Sequence, residues 1–89
     1  MRVSLADVIK KFDQLIGKEV EREAISEWAK AKMIAEDTLE LDYDPPYEKQ
    51  RIWDGITYLL GVDLVQDMEG TYLHEIDDFI KTKRSLFDL

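Results

Sequence analysis

Two adjacent prolines, Pro45 and Pro46, sit in the stretch Thr38–Pro46 just behind Asp42 and Asp44. Proline lacks the amide hydrogen and clashes with the preceding turn, so no helix passes through this stretch. The chain is divided there, and its periodic segments are read on either side.

Upstream, Ser4 followed three residues later by Asp7 has the form of a capping box. Leu5, Val8, Ile9, Phe12, Leu15 and Ile16 then recur at helical spacing up to Gly17, a natural stop. A first helix is predicted over Leu5–Ile16. A second is predicted over Glu21–Asp37, with Glu19, Glu21 and Glu23 favouring its N-terminal end. Ile25, Trp28, Ala29, Lys32, Ile34 and Ala35 form a mixed stripe on it. Downstream, Pro46 suits the first turn of a third helix with Asp44 as its cap. Tyr47, Ile52, Trp53, Ile56, Leu59 and Leu60 carry that helix to about Leu60, with Gly55 inside it and Gly61 ending it. Val62–Tyr72 is too apolar for a free loop and reads as a helical turn or packed loop. A last helix is predicted over Glu75–Ser85, burying Ile76, Phe79 and Ile80, with Leu86–Leu89 fraying.

Strand-period alternation is nowhere sustained, and there is no internal repeat. The expected fold is all-α, a compact four-helix bundle with short connections, and the 89 residues form one helical domain. The 45% hydrophobic content sets the chain apart from disordered acidic segments.

Charge is distributed unevenly. Residues 33–80 hold thirteen acidic and two basic residues, whereas residues 1–32 hold six acidic and seven basic. The formal net charge is −8. Such a field attracts basic partners and disfavours nucleic acid and anionic membrane. No apolar run reaches the ~20 residues of a membrane span, and the N-terminus lacks the core of a signal peptide. Cysteine is absent, which removes disulfides and thiolate metal sites. The expected location is cytoplasmic.

Catalysis finds little support. His74 is the lone histidine, so an imidazole-rich zinc site cannot be assembled, and a surface or capping role is the simpler reading. The paired carboxylates Glu36-Asp37, Asp42/Asp44 and Asp77-Asp78 would need a cleft to drive their pKa values apart. Counting from Asp63, the sixth residue is Met68, where a calcium loop needs glycine. No phosphate-binding glycine loop or serine-nucleophile signature occurs. The expectation is a non-enzyme without metal or cofactor.

Trp28 and Trp53 fall on apolar stripes and are expected in the core. Tyr43, Tyr47, Tyr58 and Tyr72 are the tyrosines, three of them bordering the acidic segments. Aromatic anchors within a charged rim are the composition of an interface.

The stretch Ile52-Trp53-Asp54-Gly55-Ile56-Thr57-Tyr58-Leu59-Leu60-Gly61-Val62-Asp63-Leu64 resembles small bacterial toxin-neutralising proteins. So do Gly70-Thr71-Tyr72-Leu73-His74, Asp77-Asp78-Phe79 and Ile25-Ser26-Glu27-Trp28-Ala29. The short, acidic, cysteine-free helical profile is similar to the colicin D immunity family and to contact-dependent growth-inhibition immunity proteins. The resemblance implies a cytoplasmic inhibitor of a basic toxin, with a nuclease the expected target. The partner-binding residues expected from charge and aromatic placement are Asp37, Glu40, Asp42, Tyr43, Asp44, Tyr47, Asp63, Asp67, Glu69, Tyr72, Asp77 and Asp78. Direct contact with nucleic acid is not expected. The alternative is a small regulatory or adaptor domain, such as a transcription antirepressor, that uses the acidic surface for protein contacts.

Overall fold

The computed structural model describes residues 1–63 and 75–88. The order of elements is β1 (Arg2–Ser4), α1 (Leu5–Ile16), α2 (Arg22–Asp37), β2 (Asp42–Asp44), a 3-10 turn (Pro46–Glu48), α3 (Lys49–Leu60) and α4 (Ile76–Phe87). The expected Val62–Tyr72 segment lies mostly outside the described residues, as do His74 and Gly70.

Local chemistry explains where the helices begin and end. The Ser4 hydroxyl accepts the Asp7 amide at 2.9 Å, and the Asp7 carboxylate accepts the Ser4 amide at 3.0 Å. The same reciprocal arrangement, Glu75 with Asp78, opens α4. α1 ends at the expected residue, but Gly17 is not the left-handed one. Gly17 keeps φ −81°, and Lys18 carries φ +56°. The Lys18 and Glu19 amides then close onto the Leu15 and Gln14 carbonyls. α2 ends in the same way. Leu39 has φ +59°, with its amide on Glu36 and the Glu40 amide on Ala35. Both are Schellman endings in which a side-chain-bearing residue holds the position that favours glycine.

The protein is mostly helical, with four helices among the described residues, but it is not purely α. β1 and β2 pair in parallel, with Arg2 opposite Asp42, Val3 opposite Tyr43 and Ser4 opposite Asp44. Three-residue strands are too short to show alternation above noise, so the sequence pattern concealed them. The pairing places Asp44 in β2 rather than at a helix cap, and Pro45 precedes the 3-10 turn instead. The connection from β1 to β2 runs through α1 and α2, as a parallel pair requires.

α2 and α3 run antiparallel. The Ser26 hydroxyl, near the start of α2, donates to the Leu60 carbonyl at 2.8 Å. At the other end, Lys49 at the start of α3 pairs with Glu36 near the end of α2. Between the layers lies a core built on Phe12, which is fully buried. Tyr58 stacks on it with centroids 5.7 Å apart, and Phe87 meets it edge-on at 5.7 Å. Val8, Ile25, Ala29, Ile52, Ile56, Leu59 and Phe79 are among the other buried residues. Phe87 is 5% exposed, so the predicted fraying of Leu86–Leu89 does not apply to it. α4 continues through Phe87 because that ring has a place against Phe12 and Gly55. Neither tryptophan is a buried anchor. Trp28 is half-buried against the core edge, and Trp53 is half-buried outside the buried cluster.

Candidate functional site

The acidic residues expected to form one face are split between the two ends of α2. Asp37, Glu40, Asp42 and Asp44 are exposed where α2 ends and β2 begins. Asp63 follows α3, at the other end, where the Arg22 guanidinium donates to the Val62 carbonyl. A 16-residue helix is about 24 Å long, and that length separates the two groups. Asp77 is exposed in the first turn of α4, and Asp78 closes the α4 capping box by accepting the Glu75 amide at 3.0 Å. Asp67, Glu69 and Tyr72 lie outside the described residues.

The tyrosines also divide. Tyr58 is half-buried against the core, stacked on Phe12 and edge-on to Phe79. Burial pushes its pKa up, with the Thr82 hydrogen bond working the other way. Tyr43 is half-buried, and its hydroxyl donates to Glu36 at 2.9 Å. Burial, then the Glu36 hydrogen bond and charge, hold its phenol well above the usual tyrosine range. The Lys49 ammonium lies 5.3 Å from the Tyr43 ring centroid and 3.9 Å from Glu36. This triad fastens β2 to α2 and α3. Tyr47 in the 3-10 turn is 85% exposed.

A second site was missed by reading the acid alone. The Lys11 ammonium of α1 stands 5.4 Å from the Trp28 ring centroid, and the Lys32 ammonium of α2 stands 5.3 Å from it. Both distances fall within cation–π range. Three other cations are paired: Lys83 with Asp13, Arg51 with Asp88 and Glu48, and Lys49 with Glu36. Lys11 and Lys32 have no carboxylate partner among the described residues. Two like charges are thus gathered on one indole without an anion. The sequence held half of this signal, since Trp28 and Lys32 are four apart on one helix and therefore neighbours. Lys11 comes from a different helix, and only packing brings it there.

No group of three or more histidine, cysteine, aspartate or glutamate side chains is placed to hold a metal ion among the described residues. No described helix is long and apolar enough to cross a membrane.

The sequence profile of the family described as YxzC DNA-binding protein matches residues 2–82. The chain belongs to that family. A relative from Bacillus subtilis (strain 168), described as Uncharacterized protein YxzC, is 35% identical over 75 residues. The match covers 84% of this chain and 55% of the relative, so the chain spans about half of that protein's length. No solved structure matches.

Membership of the YxzC family overturns the resemblance to colicin D and growth-inhibition immunity proteins, and with it the toxin partner and the nuclease-inhibitor reading. The reason is visible in the structure. Of the residues that carried the resemblance, Ile25, Ile52, Gly55, Ile56 and Leu59 are buried. Their spacing reports which helical faces pack inward, a requirement common to unrelated helical proteins. The expectation of no direct nucleic acid also conflicts with a family described as DNA-binding. It rested on net charge, which averages over surfaces that the fold keeps apart.

Proposed function

We propose that this chain is a small regulatory domain that contacts DNA through the α1–α2 surface around Trp28 and carries out no catalysis. It would act in the bacterial cytoplasm, where the DNA is. The observation that carries the reading is the pair of ammonium groups, Lys11 and Lys32, on one half-buried indole without an anion. Phosphate groups placed at these cations neutralise them and release condensed counterions from the DNA. The family's description as DNA-binding supports the same assignment.

The formal charge of −8 opposes this contact at long range. Binding is therefore expected to be weak and local, engaging one or two phosphates and positioning the domain rather than reading sequence. A domain of that kind modulates a complex on DNA more readily than it seeks a site alone.

The test is anisotropy of a labelled duplex over a range of salt concentrations. Two phosphate contacts predict that log K falls against log salt with a slope of about −2. Lys11→Gln with Lys32→Gln should bring the slope close to zero. Absence of binding at low salt, or an unchanged slope in the double variant, would refute the assignment.

A further inference from the structure

β2 is an edge strand. The sheet has only β1 and β2 among the described residues, so each has one side without a partner. The Asp42 amide donates to the Met1 carbonyl at 2.7 Å, which turns the Asp42 peptide groups toward β1. Successive residues in a strand present their amides to opposite sides. The Tyr43 amide and carbonyl therefore face away from β1, and the amide has no acceptor among the described residues. An unpaired strand edge is a template for another strand, and a two-stranded sheet is marginal by itself.

The sequence through this edge is acidic, while the nearby cations Arg2 and Lys49 lie on the β1 side and against the Tyr43 ring. Residues 37–48 contain five carboxylates and no lysine or arginine. The Tyr43 side chain is half-buried with its hydroxyl on Glu36, which sends Asp42 and Asp44 to the opposite, exposed face. On the far side of β2 the neighbour already paired with Asp42 is a cation, Arg2. Two large apolar side chains flank the strand in the open: Leu39 is 90% exposed and Tyr47 is 85% exposed. Acidic edge strands are ordinarily protected by their charge from pairing with like strands. Here the same charge selects for a strand of opposite sign.

We infer that β2 accepts an extended peptide segment of a partner protein as a third strand, one with lysine or arginine at alternate positions. Its backbone bonds the Tyr43 amide and carbonyl. Its cations stand beside Asp42 and Asp44, and its apolar ends cover Leu39 and Tyr47. This is strand addition, in which main-chain bonds supply affinity and alternate side chains supply selectivity. None of Lys11, Trp28 and Lys32 takes part in these contacts, so the inference does not rest on the DNA contact.

A synthetic peptide alternating lysine with threonine tests the inference, with amide spectra and hydrogen exchange of the intact protein as the readout. Saturating peptide should slow exchange of the Tyr43 amide by about tenfold or more. Methylating every backbone nitrogen of the peptide, so that both edges lose their donors, should abolish that protection. The counterpart alternating glutamate with threonine should leave the amide unchanged. Asp42→Asn with Asp44→Asn, both exposed, should weaken binding by about tenfold at low salt. Three results would each overturn the inference: no response at Tyr43 up to millimolar lysine peptide, an equal response to the glutamate peptide, or undiminished binding of the methylated one. Lys11→Gln with Lys32→Gln should leave the peptide response intact, which separates this surface from the DNA contact.

Discussion

Val8 of α1 occupies the space that a side chain at Gly55 of α3 would need. A Cβ at Gly55 would lie 2.5 Å from Val8 Cγ1 and 3.2 Å from Phe87 Cζ. One missing methyl group thus lets α1, α3 and α4 meet, and it sets the depth at which the Phe12 ring is enclosed.

Gly55→Ala should therefore destabilise the protein although alanine is the better helix former. The helix gains about 1 kcal/mol, and overpacking costs about 1–3 kcal/mol. Val8 is itself fully buried and has nowhere to yield. Urea denaturation should show a net loss of up to about 2 kcal/mol. A variant more stable than the parent would mean that the three helices can part at no cost.

The aromatic residues should separate by burial rather than by size. Phe12 has no exposed surface and touches both Tyr58 and Phe87, so Phe12→Ala is expected to cost about 3–5 kcal/mol. Trp53 is half-buried and outside the buried cluster, so Trp53→Ala should cost about 1–2 kcal/mol despite removing more atoms. Equal losses in chemical denaturation would contradict the placement of Trp53.

Leu39→Gly should stabilise the fold. Leu39 holds φ +59° at the end of α2, and its side chain is too exposed to repay that conformation by burial. A left-handed residue with a Cβ costs roughly 1–2 kcal/mol, and part of this is offset by the greater freedom of glycine in the unfolded chain. The expected gain is about 0.5–1 kcal/mol, read as a higher midpoint of thermal or urea unfolding. A loss of stability would show that Leu39 packs more than its exposure indicates.

Stability should fall at alkaline pH through Tyr43. Its phenol is held neutral in the folded state by burial and by Glu36, so its folded pKa stands above the unfolded value of about 10. The contribution is fully present below pH ~10 and is lost as pH rises from there toward the folded pKa, because only the unfolded chain releases the proton. Tyr58 is shifted in the same direction. Absorbance titration at alkaline pH should show tyrosines that ionise only with unfolding, and Tyr43→Phe should flatten the decline in stability. Free ionisation of all four tyrosines near pH 10 in the folded protein would refute this.

The helices were legible because they obey local rules. Ser4 with Asp7, the spacing from Leu5 to Ile16, and the block at Pro45-Pro46 each act within a few residues, and α1 appears with the bounds that they dictate. The tertiary structure decided everything that depends on distance in sequence. It paired Arg2–Ser4 with Asp42–Asp44, gave Phe87 a place in the core, and packed Tyr58 against that core while leaving Tyr47 exposed. It also parted the acidic residues along the length of α2 and drew Lys11 to the indole of Trp28. Charge totals and periodicity say which residue types a chain has and which faces its helices present. Which surfaces those residues share is fixed only when packing against Phe12 sets the helices side by side, since a charge acts on its neighbours in space, within about one Debye length, and not on its neighbours in sequence.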